Sequence, residues 1–343
     1  MTIPRPRATP NKADRAARRT PHRRLGRRAL SVALPVAVLL VLVGSPTASD
    51  ALPRSASIPL GDYAGFANPA GLARFASITG AHLSLATDFL DQSSGWGAME
   101  GAAGIGAWHS SRYQLVLAVP VLPDRARATL AMGARGAYDS HFVTLAKNLV
   151  HAGVGNAYLR LGWEFNGSWF KWRVTNAVDA ADFAAYFRNI VISMRSVRGE
   201  AFKFVWNPNA GGSYNSYSPG QAYPGNAYVN VIGTDLYDES WVQPLTPQHA
   251  WAGQLTESWG LDWLAAFAAA QGKPIVFPEW GVARRDDGHG LGDDPYFVNE
   301  FAAWISSHGV AWTNIFSFDD SQQDDITDGG FPQALKEFRA DFG

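Results

Sequence analysis

No cysteine occurs anywhere in the 343 residues. This excludes a disulfide framework, a thiol nucleophile, a thiolate metal site and a lipid-modified cysteine. It leaves export open, because a large well-packed domain holds without cross-links. Histidine is sparse too, and the eight present show no metal-ligand spacing. No metal and no cofactor are therefore expected. Positive charge runs short after the N-terminus. Residues 1–28 hold ten Lys/Arg and one Asp, which leaves 19 basic against 28 acidic residues beyond Asp50. So acidic a body argues against a nucleic acid partner, whose phosphates demand a basic face. Long apolar runs are lacking as well. The longest, Ala29–Val43, has 15 residues, where a membrane span needs roughly 20.

That run follows an Arg-, Pro- and Ala-rich stretch expected to be disordered. Small residues come after it, among them Ser45, Thr47, Ala48, Ser49 and Ala51. Basic region, short apolar core and small residues describe a secretory signal peptide, with cleavage after Ser49 or Ala51. The competing reading is an uncleaved membrane anchor at residues 29–43. Arg23-Arg24 and Arg27-Arg28 hint at twin-arginine export, but their flanks match that signal poorly. Secretion is the expectation, with no stable membrane partner unless the apolar run stays uncleaved.

What is abundant is aromatic. Thirteen tryptophans all lie after residue 95. From residue 52 onward short apolar runs alternate with amphipathic stretches. Eight runs read as strands: 58–63, 81–86, 113–120, 157–163, 202–206, 228–236, 274–278 and 310–316. Several are continuously hydrophobic, as suits parallel strands buried on both faces. Helical spacing marks 138–151, 179–197, 295–308 and 332–342, with Asp179 and Asp182 biasing the start of the second. Eight strands alternating with helices over about 290 residues predict an α/β fold, a single-domain (β/α)8 TIM barrel. No internal repeat and no linker divides it.

Two of these runs end in a carboxylate. YLRLGWEFNGSWFKW, residues 158–172, delivers Glu164 to a cluster of aromatic rings. KPIVFPEWGVAR, residues 273–284, delivers Glu279 beside Trp280. In the strand count Glu164 closes strand four and Glu279 closes strand seven, at the barrel end where catalytic groups gather. Indole rings suit the apolar faces of sugars. A pair of carboxyls about 5–5.5 Å apart serves retaining glycosidases, and about 6.5–9.5 Å inverting ones. The plainer reading makes both glutamates structural ion-pair members and the tryptophans core.

With those residues in view, the chain resembles glycoside hydrolase family 26, best known for β-mannanases. The likeness runs over most of residues 58–343. It is carried by Arg160, Glu164, Asn166-Gly167 and Trp169, by Val205-Trp206-Asn207-Pro208-Asn209, and by Tyr223-Pro224-Gly225. Asp235, Tyr237 and Glu279-Trp280-Gly281 complete it. The resemblance implies a (β/α)8 catalytic domain at 52–343 behind an N-terminal region and signal at 1–51. It implies Glu279 as nucleophile and Glu164 as acid/base, on a polysaccharide substrate with β-1,4-mannan favoured. One departure stands out: the family has histidine just before the acid/base, and here that position is Trp163. This leaves room for β-glucan, β-xylan or a cell-envelope polysaccharide, or for a non-catalytic glycan-binding barrel.

Arg160 and Tyr237 are expected to donate to Glu279, and burial beside Trp163 and Trp169 to favour the protonated form of Glu164. Substrate contacts are expected from Trp163, Asn166, Trp169, Trp172, Trp206, Asn207, Asp235, Trp241, Trp280 and Trp312. Asp235 serves either to touch sugar or to orient Arg160. A monomer is expected. Asp324, Asp325 and Asp328 have the composition of a calcium loop but not its ordered ligand pattern. A solvated acidic loop is the preferred reading there. GAAGIG at residues 101–106 lacks a phosphate lysine and a preceding strand, and is set aside.

Overall fold

The eight apolar runs become eight parallel strands in the computed structural model, which describes residues 58–212, 217–319 and 323–343. They are β1 (Leu60–Tyr63), β2 (Leu83–Phe89), β3 (Gln114–Val119), β4 (Tyr158–Leu161), β5 (Lys203–Trp206), β6 (Val231–Tyr237), β7 (Ile275–Gly281) and β8 (Trp312–Phe316). Each pairs with its sequence neighbours, and β8 closes on β1. This is the (β/α)8 TIM barrel that the strand rhythm predicts. The expected signal, anchor and twin-arginine residues lie outside the described residues.

Nine α-helices cover the outside among the described residues. They are α1 (Pro69–Thr79), α2 (Trp96–Gly101), α3 (Leu130–Ala134), α4 (Asp139–His151), α5 (Ala177–Arg195), α6 (Pro247–Thr256), α7 (Leu261–Gln271), α8 (Pro295–Ser307) and α9 (Pro332–Phe342). Four of them, α4, α5, α8 and α9, are those marked by helical spacing. α5 starts at Ala177 rather than Asp179 because the Asn176 side chain caps it, accepting from the N–H groups of Val178 and Asp179. α7 is alanine-rich on every side, so its period is faint in sequence. No helix among the described residues is long and apolar enough to cross a membrane.

Strand alternation sorts side chains into two cores. Leu85, Val116, Val205, Val231, Val276 and Trp312 fill the barrel's interior. Trp312 opens β8 and sits edge-on to Tyr158, which opens β4, with ring centroids 5.0 Å apart. It therefore plugs the N-terminal end of the barrel, opposite the expected site, and the expected sugar contact there is corrected.

Alternation alone would turn Glu279 outward, because Val276 points in. A bulge reverses this. On the β6 side Gly233 pairs with Val276 but Asp235 with Glu279; on the β8 side Phe277 pairs with Thr313 but Trp280 with Ile315. β7 thus carries one residue more than either neighbour. Pro278 sits in that interval and has no N–H to give a ladder, which suits it to a bulge. Gly233 makes room, since a Cβ there would come within 3.0 Å of the Pro278 ring. Glu279 is left facing inward and Trp280 outward.

Candidate active site

Arg160, from β4, is the fully buried centre of the C-terminal mouth. Its Nε donates to Asn207 Oδ1 at 2.8 Å. Its Nη2 reaches Asp235 Oδ2 at 2.5 Å and Glu279 Oε1 at 2.7 Å. Asp235 and Tyr237 are two apart on β6 and share its inner face. The Tyr237 hydroxyl donates to Glu279 Oε2 at 2.7 Å. Behind it, Gln254 of α6 donates to the Tyr237 carbonyl at 2.9 Å. Glu279 thus has a cation on one oxygen and a phenol on the other.

Glu164 stands three residues beyond the end of β4, not at its last position. It adopts φ 51°, after Gly162 at φ 57°. Left-handed backbone at a glutamate is costly, on the order of 1–3 kcal/mol, and persists only where neighbours enforce it. Here its N–H donates to the Asn207 carbonyl at 2.7 Å, and its carbonyl accepts from Gly167 at 2.9 Å. Trp169 Nε1 donates to Glu164 Oε2 and Asn209 Nδ2 to Glu164 Oε1, each at 2.8 Å. Asn209 is itself clasped by Asn166, whose side chain accepts from Asn209 N at 2.7 Å and donates to its carbonyl at 2.8 Å.

Both glutamates act electrostatically on Arg160 and Asp235, so the fold gathers all four at one place. Burial opposes the charge of Arg160, but Asp235 and Glu279 outweigh it and hold the guanidinium above its ordinary value. Burial pushes Asp235 well up; Arg160 opposes that push, while Glu279 and Glu164 add to it.

Several expected sugar contacts are corrected by burial. Trp172, Trp206 and Trp280 show no exposed surface. Trp172 donates its Nε1 to the Trp163 carbonyl at 2.8 Å. Trp206 points away from the barrel axis and packs against Phe165 and Phe267. Trp280 stacks on Phe301 of α8 with centroids 4.2 Å apart. Trp163 is 2 % exposed. It lies against Phe89, Phe170 and Trp172, with the Arg160 guanidinium 5.9 Å from its ring. Asn166, Asn207 and Asp235 are buried and committed to protein partners. Trp169 and Trp241 are the half-exposed members of the set. Asn209 was missed, although it ends the Trp206-Asn207-Pro208-Asn209 motif; a side chain that bonds Glu164 from the next strand's loop is not visible in local spacing.

Residues 137–280 match the model for Glycosyl hydrolase family 26, a stretch that contains both glutamates. A mannan endo-1,4-beta-mannosidase from Bifidobacterium adolescentis is 28% identical over 162 residues, which are 44% of this chain but only 16% of that protein. Among solved structures, the catalytic domain of a Bacillus sp. JAMB-750 endo-beta-1,4-mannanase superposes with TM-score 0.60 at 17% identity, covering 83% of this chain and 85% of that one. A modular endo-beta-1,4-mannanase from Cellulomonas fimi gives 0.56 at 19% identity, covering 83% and 70%. These superpositions carry the fold, and the family match carries the site-bearing stretch. The motif, the barrel and that match agree: residues 137–280 match glycosyl hydrolase family 26 and make the chain similar to the glycoside hydrolases of that family.

Proposed function

We propose that the chain is a secreted endo-acting β-glycanase that cleaves with retention, β-1,4-mannan being the favoured substrate. The contrast between the two glutamates carries this reading. Glu279, between a guanidinium and a phenol, is placed to attack an anomeric carbon as an anion. Glu164 accepts from two neutral donors, Trp169 on one oxygen and Asn209 on the other, as suits a group that must give a proton and take one back. In the first step Glu279 forms the glycosyl ester while Glu164 protonates the departing oxygen. In the second, Glu164 takes a proton from water, which attacks the ester and frees Glu279. The relatives' names favour mannan. Trp163 at the usual histidine position keeps β-glucan and β-xylan as the next substrates to assay. Residues 52–343 are the proposed catalytic domain and residues 1–51 the export segment.

Glu279→Ala is expected to lower turnover on the order of 10⁵-fold or more. Glu164→Ala should lose about 10²–10⁴-fold on polysaccharide. With an activated aryl glycoside, added azide should restore the Glu164→Ala rate and yield the β-azide. Unchanged turnover in Glu279→Ala, or an α-azide product, would defeat the mechanism. New reducing ends from a panel of mannan, glucan and xylan assign the substrate.

A further inference from the structure

A second pair of carboxylates, Asp62 buried and Asp325 half-buried, lies outside the barrel wall. Gly61 and Tyr63 point inward, so alternation turns Asp62 of β1 outward, beneath α1. A carboxylate there is unexpected, because strand–helix interfaces are normally apolar. Asp62 shows no exposed surface, and neither of its oxygens has a hydrogen-bond partner. Burial and the charge of Asp325 push it well above the ordinary carboxylate range, and the nearby backbone N–H groups of Ser317 and Tyr63 oppose that push. It lines a cavity of about 390 Å³, walled by Arg74 and Phe75 of α1, by Ser317 and Phe318 after β8, and by Asp325 and Thr327.

Asp325 is the second carboxylate of that cavity. Ser317 Oγ donates to its Oδ1 at 2.8 Å, Thr327 N at 2.8 Å and Thr327 Oγ1 at 2.7 Å. All three bonds fall on one oxygen. Two carboxylates lining one pocket repel unless a cation or a proton stands between them. Arg74 is exposed and makes no ion pair among the described residues.

We propose that Asp62 and Asp325 are the two anionic ligands of a hydrated divalent cation site, selective for calcium, that joins β1 to the segment after β8. The acidic run at 324–328 lacks a calcium loop's ordered ligands, and the fold supplies the missing one from β1. No group of three or more His, Cys, Asp or Glu is placed to hold a metal among the described residues, so water must complete the shell, and the cavity has room for it. Calcium takes 6–8 oxygens in flexible geometry, whereas magnesium demands a near-ideal octahedron and gives up water reluctantly. Ligands from two separate segments around a roomy cavity suit calcium. The site stands outside the barrel and apart from Arg160, Glu164 and Glu279, so it fastens a loop rather than entering the chemistry.

The test is thermal unfolding of the chain after chelator treatment, with about 5 mM calcium or magnesium chloride. Calcium should raise Tm by roughly 2–6 °C, the shift expected of a sub-millimolar site in a domain this size, and magnesium by less. Asp62→Asn should unfold cooperatively and show no calcium response. An unchanged wild-type Tm, or an equal response in Asp62→Asn, overturns the site. Should Asp62→Asn not fold, equilibrium dialysis of calcium against wild type and Asp325→Asn decides. One ion per wild-type chain with none in the variant supports the site, and equal binding overturns it.

Discussion

Asp235 and Asp88 are equally buried, yet they sit in regions of opposite purpose. Asp235 lies on the inner face of β6, at the mouth of the barrel. Its partner is a charge, Arg160 at 2.5 Å, and its Oδ1 has no partner at all. Asp88 lies on the outer face of β2, since its neighbour Thr87 points inward to donate to the Pro278 carbonyl at 3.2 Å. Its partners are three neutral donors: Trp108 Nε1 at 2.6 Å, Phe89 N at 2.8 Å and Ala67 N at 2.9 Å. Those bonds fasten two loops to the barrel. Burial pushes Asp88 up to about 6, with the three donors opposing. Equal burial thus separates into two uses. Neutral N–H groups suffice to fasten a chain, while the inner cluster holds incompletely satisfied charge at the proposed active site.

Removing the cation should break this contrast most severely. Arg160→Met leaves Asp235 and Glu279 buried without a counter-charge. The expected cost is about 3–5 kcal/mol in urea-induced unfolding, together with loss of glycan hydrolysis. A loss below about 1 kcal/mol would mean that the inner cluster tolerates burial as Asp88 does, and the distinction would fail.

A milder change sharpens the same contrast without altering charge. Tyr237→Phe deletes one hydrogen bond to Glu279 and keeps the ring. Turnover should fall about 10²-fold, the effect of removing one donor from a site where charge changes in the reaction. Unfolding free energy should move by only about 1 kcal/mol. Stability falling as far as activity would assign Tyr237 to packing instead.

The sequence revealed the barrel because its strands are apolar runs bounded by turns, a signal local to each run. It also drew out Arg160 on β4, Glu164 three residues past β4 and Glu279 on β7, which the fold gathers. Side-chain direction was less legible. Trp206 and Trp280 each neighbour a site residue along a strand, and alternation sends them to the opposite face. Glu279 itself faces inward only because β7 gains a residue at Pro278, and a proline in a strand does not announce by itself which way the next side chain turns. Trp172 looked like a sugar platform but closes onto the Trp163 carbonyl, a contact set by the turn at Glu164 and its positive φ. Asn209 meets Glu164 from the loop after the next strand, and neither it nor Asp62 carries a local pattern.

The smallest expected effect is a pH slope on the outer region. Folded Asp88 holds its proton up to about pH 6, while the unfolded chain releases it near 3.8. Between those values the folded state binds more protons, so this group's contribution to stability falls as pH rises through the window. Above about 6 both states are ionised and the contribution is level. The two-unit difference corresponds to at most about 3 kcal/mol. Asp88→Asn keeps an oxygen to accept from Trp108 or Ala67 but cannot titrate. Urea unfolding of both proteins at steps from pH 4 to 7 cancels the other carboxylates in the difference. Wild type should lose about 1–3 kcal/mol relative to the variant across that range, with hydrolytic activity little changed at neutral pH. A difference that stays flat would show that the three donors keep Asp88 ionised throughout. Its environment would then resemble a charge-stabilising site more than a fastening, and the inner cluster's dependence on Arg160 would have to be explained by Glu279 rather than by burial.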